Sequence, residues 1–195
     1  MISQLSNIIV SYLIKHKAIE NSSEDIEHYK YGIEITISSC LNIVLVLCIG
    51  IILKIFVYSV IFLIIFISVR HFTGGYHATT YFKCNLSLCV VFCLVSLSSF
   101  ILEKYINSTV ITFHIVLSSL IMTAFCPVAN DNKPIPSDSI NKYKFIAICL
   151  SHLYSIIALY IANSSIIIES FIITTIIYIN ILVIVSQIIK KEGKT

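Results

Sequence analysis

The stretch Arg70-His71-Phe72-Thr73-Gly74-Gly75-Tyr76-His77-Ala78-Thr79-Thr80-Tyr81-Phe82-Lys83-Cys84 is a short polar break in a chain that otherwise reads as membrane. The sequence on both sides is apolar over lengths suited to a bilayer. Hydrophobic residues make up 57% of the 195 positions and charged ones only 12%, which leaves too little polar surface for a soluble domain. The break also brings a histidine and a cysteine into one segment, and a thiol beside an imidazole can be an activated nucleophile. Any chemistry in this chain is therefore expected in the break.

A hydrocarbon core of about 30 Å takes about 20 helical residues. On that ruler six spans are expected, at 33–53, 55–69, 85–102, 109–129, 145–163 and 166–189. Lys54 ends the first, Arg70 the second and Glu103-Lys104 the third. The second is short for a crossing, and either extends through Phe72 or dips only partly into the bilayer. Tight links at Lys54 and at Asn163-Ser164-Ser165 make the flanking pairs helical hairpins.

Ahead of the spans, Ile2, Leu5, Ile8, Ile9, Tyr12, Leu13 and Ile19 recur at three- and four-residue steps. This is an amphipathic helix too short to cross, lying on the membrane or packed on the protein's own loops. Ser22 or Ser23 then suits the N-cap of a second short helix. No cleavable signal peptide is expected, because residues 1–18 lack a continuous apolar run.

The fold class expected is an all-α polytopic membrane protein. Residues 1–195 would form one membrane-embedded domain, with an amphipathic region 1–31, a transmembrane bundle 33–189 and a basic tail 190–195. Cytoplasmic loops carry an excess of Lys and Arg. With both termini inside, 11 of these residues fall on the cytoplasmic side, and only Lys54 and Lys104 fall outside. Both the Arg70–Cys84 break and the loop 130–144 then face a reducing compartment that keeps thiols free.

The seven cysteines are Cys40, Cys48, Cys84, Cys89, Cys93, Cys126 and Cys149. Most lie in apolar segments, where a cysteine behaves as a small hydrophobe. The odd count and the lack of any CxxC speak against a disulfide framework or zinc ribbon. Cys84 differs from the rest: His77 shares its segment, and Arg70, His71 and Lys83 make the surroundings electropositive, which favours a thiolate. It also lies near an expected helix N-terminus, whose dipole acts in the same sense.

In one straight helix His77 and Cys84 would be about 10.5 Å apart along the axis, beyond hydrogen-bond reach. The segment must therefore bend, as a hairpin at the membrane edge, and one unbroken helix over 76–86 would contradict it. Gly74-Gly75 supplies flexible backbone, though it also serves as a plain helix stop. Candidates for a group that orients the histidine are Asn85, Asp131 and Asp138.

Other readings compete. His71, His77, Cys84 and Asp131 offer metal ligands, but their spacing fits no standard zinc signature, and neither metal nor other cofactor is expected. A small transporter or peptide exporter would need a polar path through the spans built on His114, His152 and Asn180. These histidines equally suit hydrogen bonds between helices. Pro127, Pro134 and Pro136 read as a rigid connector. Lys133, Lys142 and Lys144 join Arg70 and Lys83 in a patch suited to anionic lipid or an acidic peptide, and no nucleic-acid partner is expected.

The segment Arg70-His71-x-x-Gly74-Gly75-Tyr76-His77-Ala78 followed by Cys84 resembles the accessory gene regulator protein B family of quorum-sensing membrane endopeptidases. Chain length, the multi-span layout, the amphipathic N-terminus and the Pro-Asn-Lys loop agree, although only the motif segment is specific. The resemblance implies a cysteine endopeptidase of the bacterial cytoplasmic membrane that processes an autoinducer propeptide. Cys84 would be the nucleophile and His77 its base, with Arg70, Gly74 and Gly75 as supporting positions. Cleavage before an acidic C-terminal tail would leave an acyl-thioester on Cys84. The propeptide's own cysteine would capture it as a cyclic thiolactone. Lys83, Lys133, Lys142 and Lys144 would meet the acidic tail. A homodimer in contact with membrane lipids is implied.

Overall fold

The computed structural model describes residues 2–16, 23–74, 80–128, 137–161 and 165–192. Its elements are helical: α1 (Ile2–Lys15), α2 (Ser23–Ile52), α3 (Phe56–Thr73), α4 (Tyr81–Leu102), α5 (Ser108–Phe125), α6 (Ile140–Ile161) and α7 (Ile166–Glu192). A 3₁₀ turn, Ser137–Ser139, leads into α6. Six of these helices are long and apolar enough to cross a bilayer. The chain is a multi-pass, all-α membrane protein.

The helix boundaries depart from the hydropathy reading in five places, one being the third span, which as α4 begins at Tyr81 instead of 85. The second short helix and the first span are one continuous helix, α2, because Tyr31-Gly32-Ile33 holds nothing that stops a helix. The second span does not end at Arg70; α3 runs on to Thr73, since a cation in the last turn of a helix favours its carbonyl end. At 18 residues α3 is about 27 Å long, close to the bilayer's apolar thickness. The fourth span stops at Phe125 instead of 129, because Pro127 holds Cys126 extended at φ −89, ψ 153. The fifth begins at Ile140 instead of 145, so Lys142 and Lys144 lie on α6.

α7 is the axis of the bundle and packs against α3, α4, α5 and α6. Two apolar clusters flank it. One joins Ile65 and Val69 of α3 to Ile111, Met122, Ala158 and Ile176. The other joins Val46, Phe62, Phe92 and Phe171. The helices approach closely because their facing residues are small, as with Ala147, Ser151, Ser155 and Ala158 of α6.

Polar groups inside the bundle are largely paired across helices. Asn180 Nδ2 donates to Ser118 Oγ at 3.0 Å, Ser118 pairs with Ser151, and His152 Nε2 is 2.6 Å from Ser119 Oγ. Two of the three residues that a transport path would use thus make the interhelical bonds of the competing reading. His114, the third, is buried with neither ring nitrogen partnered.

The outer elements are α1 and α2. α1 turns Ser6 and Val10 inward and leaves Leu5, Ile8 and Tyr12 exposed. It therefore packs on α2 along one face and offers an apolar face outward. Ser6 Oγ donates to Glu34 Oε1 at 2.9 Å, and the Tyr81 hydroxyl donates to Glu34 Oε2 at 2.9 Å. One carboxylate thereby ties α1, α2 and the first residue of α4 together.

At this same end of the bundle, the ends of α3 and α5 are joined. The Val128 amide donates to the Thr73 carbonyl at 2.9 Å, and Gly74 and Val128 form an isolated parallel bridge. Gly74 has φ +66 and ψ −155, a region essentially confined to glycine. A Cβ there would fall against the Val128 carbonyl oxygen, well inside contact distance. Gly74→Ala is therefore expected to cost about 1–3 kcal/mol in backbone strain alone. A melt of the purified protein should show a fall of several degrees. An unchanged melting temperature would mean that the bridge does not hold the two ends together.

Candidate active site

Helix α3 ends where Gly74 donates its amide to the Arg70 carbonyl at 3.2 Å. Helix α4 starts with Thr80 as its N-cap, extended at φ −137, ψ 146, with the Thr80 hydroxyl accepting from the Lys83 amide at 3.3 Å. The chain between them is thus broken at Gly74 and again at Thr80, and no single helix covers 76–86. His77 and Gly75 lie outside the described residues, as do Asp131 and Lys133.

Cys84 is the fourth residue of α4, in its first turn, and is half-buried. A helix N-terminus favours an anion. Its own amide is engaged, donating to the Thr80 carbonyl at 3.1 Å. The next residue, Asn85, is buried and accepts from Ser38 Oγ of α2 at 2.9 Å. One turn earlier on the same face, Tyr81 is held by Glu34, also of α2. Both contacts fix how α4 is rotated, and with it where Cys84 points.

The cation whose charge reaches this thiol is Arg70. Its charge reaches both Cys84 and Cys126. Arg70 Nη1 is shielded from solvent without a hydrogen-bond partner. The broader basic surround expected from sequence narrows to this one group among the described residues. His71 is exposed and stacks near Phe72 and Tyr143, and Lys83 is exposed on the first turn of α4.

Cys126 and Lys144 join this end of the bundle in ways the sequence did not reveal. Cys126 is 4% exposed, its amide donates to the Met122 carbonyl at 2.9 Å, and the peptide to Pro127 is cis. Burial pushes its thiol up to about 12, against the opposing pull of Arg70 and Lys144. Cys126 therefore stays a neutral thiol at ordinary pH and has no nucleophile to offer.

Lys144 Nζ donates to the Thr123 carbonyl at 2.8 Å, and Gln187 Nε2 donates to the Phe125 carbonyl at 2.8 Å. These bonds satisfy the last carbonyls of α5. Lys142 is exposed on the first turn of α6, and Asp138 lies in the 3₁₀ turn before it. Cys89 and Cys93 stand one and two turns or more further along α4, away from Arg70's reach. Among the described residues, no three metal-ligating side chains cluster.

Glu34 is the residue that sequence reasoning passed over. An ionisable group inside an apolar span was the available signal.

The fold and this end of the bundle define a class, a small multi-pass helical membrane protein with a half-buried cysteine within reach of a guanidinium's charge. The family model for accessory gene regulator B matches residues 6–190, and the chain belongs to that family. Membership associates it with quorum-sensing autoinducer processing. Among its relatives, accessory gene regulator protein B of Staphylococcus aureus strain MRSA252 is 26% identical over 132 residues, 68% of this chain and 70% of the relative. The protein of the same name from strain Newman is 28% identical over 132 residues, 68% and 69% of the two chains. No solved structure matches.

The contrast between the two thiols is directly measurable. Iodoacetamide at neutral or mildly alkaline pH, followed by peptide mass spectrometry, is expected to modify Cys84 and leave Cys126 intact. Cys126 should react only on unfolding or as pH nears about 12. Equal labelling of both would show that the Cys126 turn is open.

Proposed function

We propose that the chain is a cysteine endopeptidase that cleaves an autoinducer propeptide ahead of an acidic C-terminal tail. Cys84 is the nucleophile and His77 its base. The observation that carries this reading is Cys84 in the first turn of α4, half-buried, with Arg70 as its neighbouring cation. His77 takes the thiol proton, Cys84 Sγ adds to the scissile carbonyl, and the tail leaves as an amine protonated by the imidazolium. The acyl-thioester that remains keeps much of the bond's activation. A thiol of the propeptide then displaces Cys84 and closes a thiolactone ring. A half-buried site suits this exchange, because water would intercept the thioester.

The acidic tail finds exposed cations in Lys83 and Lys142 at this end of the bundle. Lys133 adds to them by sequence position, while Lys144 is drawn in only by releasing the Thr123 carbonyl. Asn85 or Asp131 would orient His77. In the reading with both termini cytoplasmic, this end faces the cytoplasm of a bacterial cell membrane. Catalysis by a homodimer is part of the same proposal. The transporter alternative gains no support, because His152 and Asn180 are already hydrogen-bonded between helices.

The test uses a synthetic propeptide with an amphipathic leader, an internal cysteine and an acidic C-terminal tail, with the protein in proteoliposomes. Cys84→Ser and His77→Ala are each expected to reduce cleavage by at least a hundredfold, the scale of lost general-base and nucleophilic catalysis. Membrane insertion should be unchanged. Full activity in Cys84→Ser would remove the nucleophile assignment.

A further inference from the structure

Arg70 brings to the site a positive charge that nothing among the described residues neutralises. The ionisable groups its charge reaches there are Cys84 and Cys126, and no carboxylate is among them. Its Nη1 is shielded and unpartnered. A guanidinium carries five donors in a rigid planar fork and does not lose its proton. A buried donor left open next to a nucleophile is suited to a partner that arrives with the substrate.

The chemistry at Cys84 creates such a partner. When a thiolate adds to a peptide carbonyl, the negative charge passes from sulfur to the carbonyl oxygen. Acyl-transfer enzymes commonly meet that oxyanion with backbone amides, often the nucleophile's own. Two of those amides, the nucleophile's own among them, are taken in this chain. Cys84 N–H donates to the Thr80 carbonyl, and Lys83 N–H to the Thr80 hydroxyl.

We propose that Arg70 is a catalytic residue whose guanidinium donates to the carbonyl oxygen under attack by Cys84. This rests on the reading of Cys84 as nucleophile. In the addition step the S–C bond forms and the carbonyl π pair moves onto oxygen, where Arg70 receives it. In the collapse step that pair returns, the C–N bond breaks, and the amine leaves with the proton that His77 took from the thiol. Arg70 neither gains nor loses a proton. Its position is set in advance, because the turn that follows it is fastened to Val128 through Thr73 and Gly74.

Two other roles for Arg70 predict different kinetics, namely activation of the thiol alone and structural support alone. The experiment compares propeptide cleavage with alkylation of Cys84 by iodoacetamide across pH. Alkylation at an sp³ carbon forms no oxyanion. For Arg70→Gln the expected result is a cleavage plateau at high pH about 10²–10³-fold below wild type. KM should change by less than about threefold, the loss falling on kcat as for an interaction made in the transition state. The alkylation plateau should be unchanged. Recovery of cleavage and alkylation together at high pH would overturn the proposal in favour of thiol activation. Cleavage within about threefold of wild type at every pH would overturn it outright, on the same transition-state criterion. A parallel fall of both plateaus would assign Arg70 to structure instead.

Should Arg70→Gln fail to accumulate, Arg70→Lys carries the same comparison. It keeps the charge and loses the fork, so alkylation should follow wild type while the cleavage plateau drops. Failure of the underlying reading has a separate signature, which is cleavage by Cys84→Ala with Arg70 intact.

Discussion

The site depends on a single backbone hydrogen bond, from the Val128 amide to the Thr73 carbonyl at 2.9 Å. In a membrane protein, irregular backbone near the apolar layer is tolerated only where its polar groups are satisfied by protein or by water. Helices α3 and α5 both end at this level and both leave open carbonyls. At the bridge between Gly74 and Val128, the chain after α5 supplies the amide that completes the Thr73 carbonyl of α3. Lys144 and Gln187 complete α5. Gly74 is the residue that permits the bridge, since a side chain at φ +66 would meet the Val128 carbonyl.

Three kinds of interaction then determine what the thiols do. Packing separates them: Cys126 is closed in the turn between α5 and the proline, and Cys84 is half-open at the start of α4. Hydrogen bonds set the rotation of α4, since Asn85 and Tyr81, four residues apart on one face, both bond to α2, at Ser38 and Glu34. Electrostatics supplies a permanent cation with a spare donor. Glu34 also takes a bond from Ser6, so the outlying helix α1 is connected to the helix that carries the cysteine. The amphipathic N-terminus is thereby a structural part of this end of the bundle.

Much of the fold was legible in the sequence because a bilayer imposes a length and excludes charge. Six spans, a preceding amphipathic helix and the polar break all follow from that rule. Hydropathy misplaced the boundaries where a polar residue is helical anyway. Arg70 lies in the last turn of α3, where a cation is favourable, and Lys142 and Lys144 lie in the first turns of α6. In the opposite direction, Pro127 ended α5 four residues before the apolar run did.

Of the site, the sequence marked Cys84 and Arg70 by their spacing and charge. The pairing of Thr73 with Val128, the placement of Cys126 and the two bonds to Glu34 were not legible. Each joins residues from segments far apart in the chain, and each depends on helix rotation that no local pattern encodes. Lys144 shows the same limit, for its charge suggested a substrate contact and its position gives it the carbonyl of Thr123.

The most direct test of the account is to trap the acyl intermediate. The purified chain is mixed with its propeptide, quenched in acid within the first turnover, and digested for mass spectrometry. The account predicts the propeptide's N-terminal fragment in thioester linkage to the peptide that contains Cys84, released by hydroxylamine. The fragment attached to Cys89 instead, or cleavage with no thioester on any cysteine, would contradict it.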